Sequence, residues 1–168
     1  SPLFLVGESY GTTRASGLSN WLFEHGIALN GIALVSAVLN FQTISFARNN
    51  DMPLVFIFPS YTATAWYHKR LPPQLQSKTL EQVTDESRRW APNEYMRALL
   101  KIDSLTDTER NTLAASYAAF TGLPADFILR NNFRIELGEL QKELLRVSDR
   151  RTVGRLDSRF KCIDRDAA

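Results

Sequence analysis

A short apolar run, Leu3-Phe4-Leu5-Val6, leads straight into Gly7-Glu8-Ser9-Tyr10-Gly11, and this junction constrains the chain more than any other feature. Beyond it, Ala15, Leu18, Trp21 and Leu22 recur at helical spacing, and Gly26 suits the position just past a helix end. Gly31-Ile32-Ala33-Leu34-Val35-Ser36 then reads as a second buried strand. Strand, tight turn, helix and strand in this order predict a βαβ unit. Such units belong to parallel sheets covered by helices on both faces.

The turn itself fits G-x-S-x-G, the pattern of a nucleophile elbow. A serine on a sharp strand-to-helix turn is held in a strained backbone conformation, with its hydroxyl clear of the sheet. Gly7 and Gly11 are expected to leave room for the strand and helix to approach closely. The helix that follows aims its N-terminal amides at the place where an oxyanion would develop. Ser9 is the candidate nucleophile and the Tyr10 backbone amide a candidate oxyanion-hole donor. The competing reading is a glycine-rich turn whose serine merely caps the helix. Glu8 has two readings that spacing does not separate. It is either a solvated turn residue or an acid that, carrying or sharing a proton, hydrogen-bonds a substrate carboxylate.

After residue 40 the pattern becomes helical. Met52 to Phe58 is apolar, and Pro59 is expected to interrupt it before a segment carrying Tyr61, Trp66 and Tyr67. Pro92 should divide or kink the stretch 79–101. Thr106-x-x-Glu109 is a capping box, opening a helix with Leu113, Tyr117 and Phe120 on one face and Gly122 at its end. Pro124 marks the first turn of a short helix. Leu137, Leu140, Leu144 and Val147 define a last helix, and 152–160 reads as extended or irregular. The expected organisation is α/β: the nucleophile-elbow part of a sheet over 1–40, a mostly helical cap over 41–150, and a return segment over 151–168.

A formal charge of +2 gives no electrostatic footprint for nucleic acid. Cys162 is the one cysteine, which excludes an internal disulfide and a CxxC motif. No apolar stretch is long enough to cross a bilayer. His25 and His68 lack the flanking carboxylates of a metal site, so neither metal nor cofactor is expected. His25 falls about four helical turns from Ser9, on the order of 20 Å, which rules it out as the base for that serine. His68, beside Lys69 and Arg70, is expected to stay clear of substrate. Asp103, Asp107, Asp126, Asp157, Asp164 and Asp166 read as caps or solvated residues. Phe56, Phe58, Trp66 and Tyr67 read as core rather than as a pocket lining.

Gly7-Glu8-Ser9-Tyr10-Gly11 resembles the nucleophile motif of the serine carboxypeptidases, α/β-hydrolases with a helical insertion. The residues Leu29-Asn30-Gly31-Ile32-Ala33-Leu34-Val35 look like the family's next strand. The segments 61–68 (YTATAWYH) and 154–160 (GRLDSRF) look like pieces of its bacterial branch. The resemblance implies release of C-terminal residues from peptides through an acyl-enzyme on Ser9. It also implies that Glu8 reads the substrate's terminal carboxylate and that the Tyr10 amide forms half the oxyanion hole, in a secreted or periplasmic setting. Two departures stand out. Thr12-Thr13-Arg14-Ala15-Ser16 follows the motif where eukaryotic members continue with Gly and an aromatic-aliphatic-Pro run, and Ser36-Ala37-Val38 replaces the usual Gly-Asn-Gly.

The triad Asp and His of such folds follow later strands, and no such strands are readable here. Both ends of the sequence read as cuts. The chain is therefore expected to be an incomplete fragment, inactive alone, whose partners are a peptide substrate, the remainder of its polypeptide and a possible second copy. The alternatives are an esterase, aminopeptidase or acyltransferase of the same fold, or a helical binding module without chemistry.

Overall fold

A computed structural model describes residues 1–163. Asp164 and Asp166 lie outside the described residues. The chain is mixed but mostly helical, with two short sheets of two strands each among the described residues. It divides into two compact units, Ser1–Ser45 and a second beginning at Phe46.

In the first unit, β1 (Phe4–Glu8) leads through Ser9 into α1 (Tyr10–Glu24), and β2 (Gly31–Val35) returns beside β1. The strands are parallel, in the register Phe4↔Gly31, Val6↔Ala33 and Glu8↔Val35. This is the expected βαβ arrangement. Strand alternation places Leu5 and Gly7 on one face and Phe4, Val6 and Glu8 on the other. The helix lies against the first of these, where Gly7 of β1 and Thr12 and Ala15 of α1 are buried. Phe4, Val6 and Val35 stay exposed on the opposite face. Leu18 and Trp21, whose spacing marked the helix, are themselves about half exposed.

The second unit is a helical assembly around one apolar core. Its elements are α2 (Met52–Tyr67), α3 (Pro73–Gln76), α4 (Leu80–Trp90), α5 (Met96–Leu99), α6 (Asp107–Thr121), α7 (Ala125–Arg130) and α8 (Leu137–Glu143). A short antiparallel pair, β3 (Thr152–Val153) and β4 (Lys161–Cys162), follows. Phe58, Tyr95 and Tyr117 meet as rings at the centre, and Trp90 and Phe120 pack against them. Val153 of β3 belongs to the same core.

The expectation at Pro59 is corrected. The helix α2 runs unbroken through it. A proline inside a helix costs about 3 kcal/mol in lost hydrogen bonding and steric conflict. Here Leu54, Val55 and Phe58 before it and Tyr61 and Ala65 after it are all buried, and their burial holds the helix together across the proline. Pro92 does deform its helix: residues Ala91–Tyr95 widen into a π turn between α4 and α5. The Thr106 hydroxyl accepts from the Glu109 amide, and the Glu109 carboxylate accepts from the Thr106 amide, so the capping box forms as expected. Gly122 ends α6 in the left-handed region at φ 68°, and a Cβ there would sit 2.6 Å from that of Arg70. The last helix is shorter than its apolar pattern: α8 stops at Glu143, and Val147 is exposed.

Candidate functional site

Ser9 joins β1 to α1 with φ 53° and ψ −121°. For a residue with a Cβ this is a strained conformation, held only when the surroundings over-determine it. Three contacts do so. The Ser9 amide donates to the Val35 carbonyl at 3.0 Å, continuing the parallel ladder. The Ser9 carbonyl accepts from the Thr12 amide at 3.0 Å and from the Thr12 hydroxyl at 2.6 Å. Gly7 lets the helix come close: a Cβ there would lie 2.3 Å from the Gly11 carbonyl oxygen.

The side chain of Ser9 is exposed and makes no capping hydrogen bond to α1. The capping-serine reading is therefore corrected. Among the described residues, no group accepts from the Tyr10 amide, which sits at the first position of the helix, where backbone donors have no partner within the helix. A free hydroxyl, a free amide and the positive end of a fifteen-residue helix thus meet at one exposed corner. Glu8, the last residue of β1, is exposed next to them. The expectation for Gly11 is also corrected. A Cβ there would meet nothing within 4 Å, so Gly7 alone is required sterically.

Thr12 was not singled out by sequence reasoning and is the main tie of the corner. It is fully buried. Its hydroxyl donates to the Ser9 carbonyl and accepts from the Val38 amide at 2.8 Å. The neighbouring Thr13 hydroxyl donates to the Val38 carbonyl. Two threonines in the first turn therefore fasten the loop after β2 to the elbow. That loop contains Ser36, itself at φ 52°. The Thr12–Val38 contact joins residues 26 positions apart, beyond the reach of helix or strand periodicity.

The two histidines have structural partners. His25 caps the far end of α1, where its Nδ1 lies 2.8 Å from the Trp21 carbonyl and its ring stacks on the Trp21 indole at 3.9 Å. In the second unit, the His68 Nε2 lies 2.6 Å from the Ser158 carbonyl. The Thr64 and Ser158 hydroxyls are 2.9 Å apart. The segments 61–68 and 154–160, far apart in sequence, are thus joined through Ser158. Of the candidate aromatics, Phe58 is core as expected, whereas Phe56 and Tyr67 are exposed. Asp126 pairs with Arg130 and Asp157 with Arg159. Hydrogen bonds from Arg159 hold the Asp157 carboxyl down at about 2. Among the described residues, no group of three or more His, Cys, Asp or Glu could hold a metal ion, and no helix is long and apolar enough to cross a membrane. No family model, curated protein or solved structure matches the chain, so the reading of this corner rests on its own geometry.

Proposed function

We infer that the chain carries the nucleophile of a serine-type carboxypeptidase of the α/β-hydrolase fold, with Ser9 forming the acyl-enzyme. The observation that carries this reading is the strained backbone of Ser9, held from three sides while its hydroxyl stays free. A capping or packing serine has no use for such strain. In the reaction, a general base takes the Ser9 hydroxyl proton as Oγ attacks the peptide carbonyl, and the Tyr10 amide stabilises the oxyanion. The base passes that proton to the departing amine, and water then hydrolyses the acyl-enzyme. Glu8, exposed beside Ser9, is assigned the terminal carboxylate of the peptide, which it binds while carrying or sharing a proton.

Among the residues of the first unit, no base with an orienting acid stands beside Ser9. The first unit contains no aspartate, and its one imidazole lies at the opposite end of α1. In the second unit, the His68 Nε2 is engaged with the Ser158 carbonyl. We place both groups in a longer polypeptide and expect the chain alone to be inactive. A fluorophosphonate probe tests this. It should label Ser9 rapidly in a protein extended by the flanking gene sequence, and only slowly in the present chain. Absence of labelling in the extended protein refutes the nucleophile.

Glu8→Gln separates the carboxypeptidase from an esterase, aminopeptidase or acyltransferase. In the extended enzyme it should weaken turnover of peptides with free C-termini about tenfold or more, consistent with a charge-assisted hydrogen bond. Amidated peptides and simple esters should change less. An equal loss on all substrates removes the carboxylate-reading role.

A further inference from the structure

The second unit carries a groove of about 520 Å³ between α2, α8 and the segment 154–160, a size usual for ligand sites. Ile57, Tyr61, Leu140 and Val153 give it an apolar lining. Its outer wall is a strap braced before any ligand arrives. The Gly154 amide donates to the Phe160 carbonyl at 2.9 Å, and Ser158 is tied to Thr64 and His68 of the α2 end. Little ordering cost would therefore fall on binding.

We propose that this groove binds a short peptide, an aliphatic side chain lying against the apolar lining and a carboxylate pairing with Arg155. Charge complementarity selects the acid. Arg155 makes no ion pair among the described residues, whereas the one carboxylate of the strap, Asp157, is already bound by Arg159 through two guanidinium nitrogens. The polar lining selects a peptide over a hydrocarbon chain. The side chains of Ser60, Tyr67 and Gln141 line the groove and make no hydrogen bond among the described residues. A fatty tail would bury them without partners, while a peptide offers a donor and an acceptor at every residue. The length also fits. Gln141, Val153, Gly154 and Arg155 line a second, adjoining depression of about 340 Å³, and Arg155 stands where the two meet. The groove is lined by residues of the second unit alone.

Binding is measured on the full chain carrying Ser9→Ala, so that no turnover intervenes, by calorimetry and by NMR of the Trp66 indole and the Gln141 side-chain amide. The probes are acetyl-Ala-Ala-Leu-Leu as the free acid, the same peptide as its C-terminal amide, and decanoate. The acid should shift both signals saturably and bind about tenfold tighter than the amide, the scale of one charge-assisted hydrogen bond. Arg155→Gln, at an exposed position, should bring the acid down to the level of the amide without changing the melting temperature. Equal affinity of acid and amide overturns the proposal. So does tighter binding of decanoate, the absence of saturable shifts up to millimolar peptide, or shifts that follow protein concentration alone, which would assign the groove to a second copy. The acid–amide comparison in the parent chain needs no strap variant, so misfolding of Arg155→Gln would not rescue the idea.

Discussion

Ser9 keeps its strained conformation because its neighbours leave it no other, and the two glycines flanking it differ in what they contribute. Gly7→Ala would drive a Cβ to within 2.3 Å of the Gly11 carbonyl oxygen, a backbone atom that cannot rotate away. We expect a loss of about 3 kcal/mol or more in denaturant unfolding of the first unit, as for other overpacked sites. Gly11→Ala meets open space on a helix and should be neutral or slightly stabilising, by up to about 1 kcal/mol. Equal costs at the two positions would refute the steric account of the elbow. Thr12→Val keeps the shape but leaves the Val38 amide and the Ser9 carbonyl without a side-chain partner. A cost of about 1–3 kcal/mol follows, together with slower reaction of Ser9 with the probe in the extended protein.

Among the elements, ends are more sharply specified than middles. Gly122 satisfies two demands at once, a left-handed backbone and a Cα close to Arg70. Gly122→Ala should therefore destabilise the second unit by about 2–4 kcal/mol in thermal unfolding. Thr106→Ala, which opens the capping box of the same helix, should cost only about 1 kcal/mol. The sequence made both ends of α6 readable, because capping chemistry is local: a hydroxyl and a carboxylate three residues apart, then a glycine. The βαβ order and the sharp turn at Ser9 were readable because strand, glycine-flanked turn and helix follow one another directly in sequence. Pro59 misled because local propensity argues for a break there, while the buried residues on both sides of it answer to tertiary packing. Gly11 misled because motif glycines look equivalent in sequence, and only coordinates show which one has a backbone against it. Thr12, buried at the corner, and Ser158, tied to His68 at the end of α2 at a separation of 90 residues, involve long-range contacts that no periodicity announces.

Across the molecule, the second unit buries three phenols, Tyr61, Tyr95 and Tyr117. Burial raises Tyr61, Tyr95 and Tyr117 well above the ordinary tyrosine value of 10. The Tyr95 hydroxyl donates to the Phe133 carbonyl at 2.5 Å and that of Tyr61 to the Ile135 carbonyl at 3.2 Å, so both are satisfied only as neutral phenols. Below pH 10 the folded and unfolded chains hold these protons equally, and the phenols add no pH dependence. Above pH 10 the unfolded chain releases them while the folded chain does not. Stability should then fall by up to about 1.4 kcal/mol per pH unit for each phenol. Denaturant titrations between pH 9 and 12 check this, and a flat profile would contradict the burial. Tyr61→Phe should make the fall shallower.

The face-to-face pair of Trp21 and His25 gives α1 an optical gauge of its own. An imidazole stacked on an indole drains its excited state, so His25→Gln should brighten the Trp21 emission. Trp66 and Trp90 sit in the second unit, and replacing both with Phe would leave one fluorophore, at the opposite end of α1 from Ser9. A change in its brightness when Ser9 is acylated would then show that the strain at the elbow is felt along the whole helix.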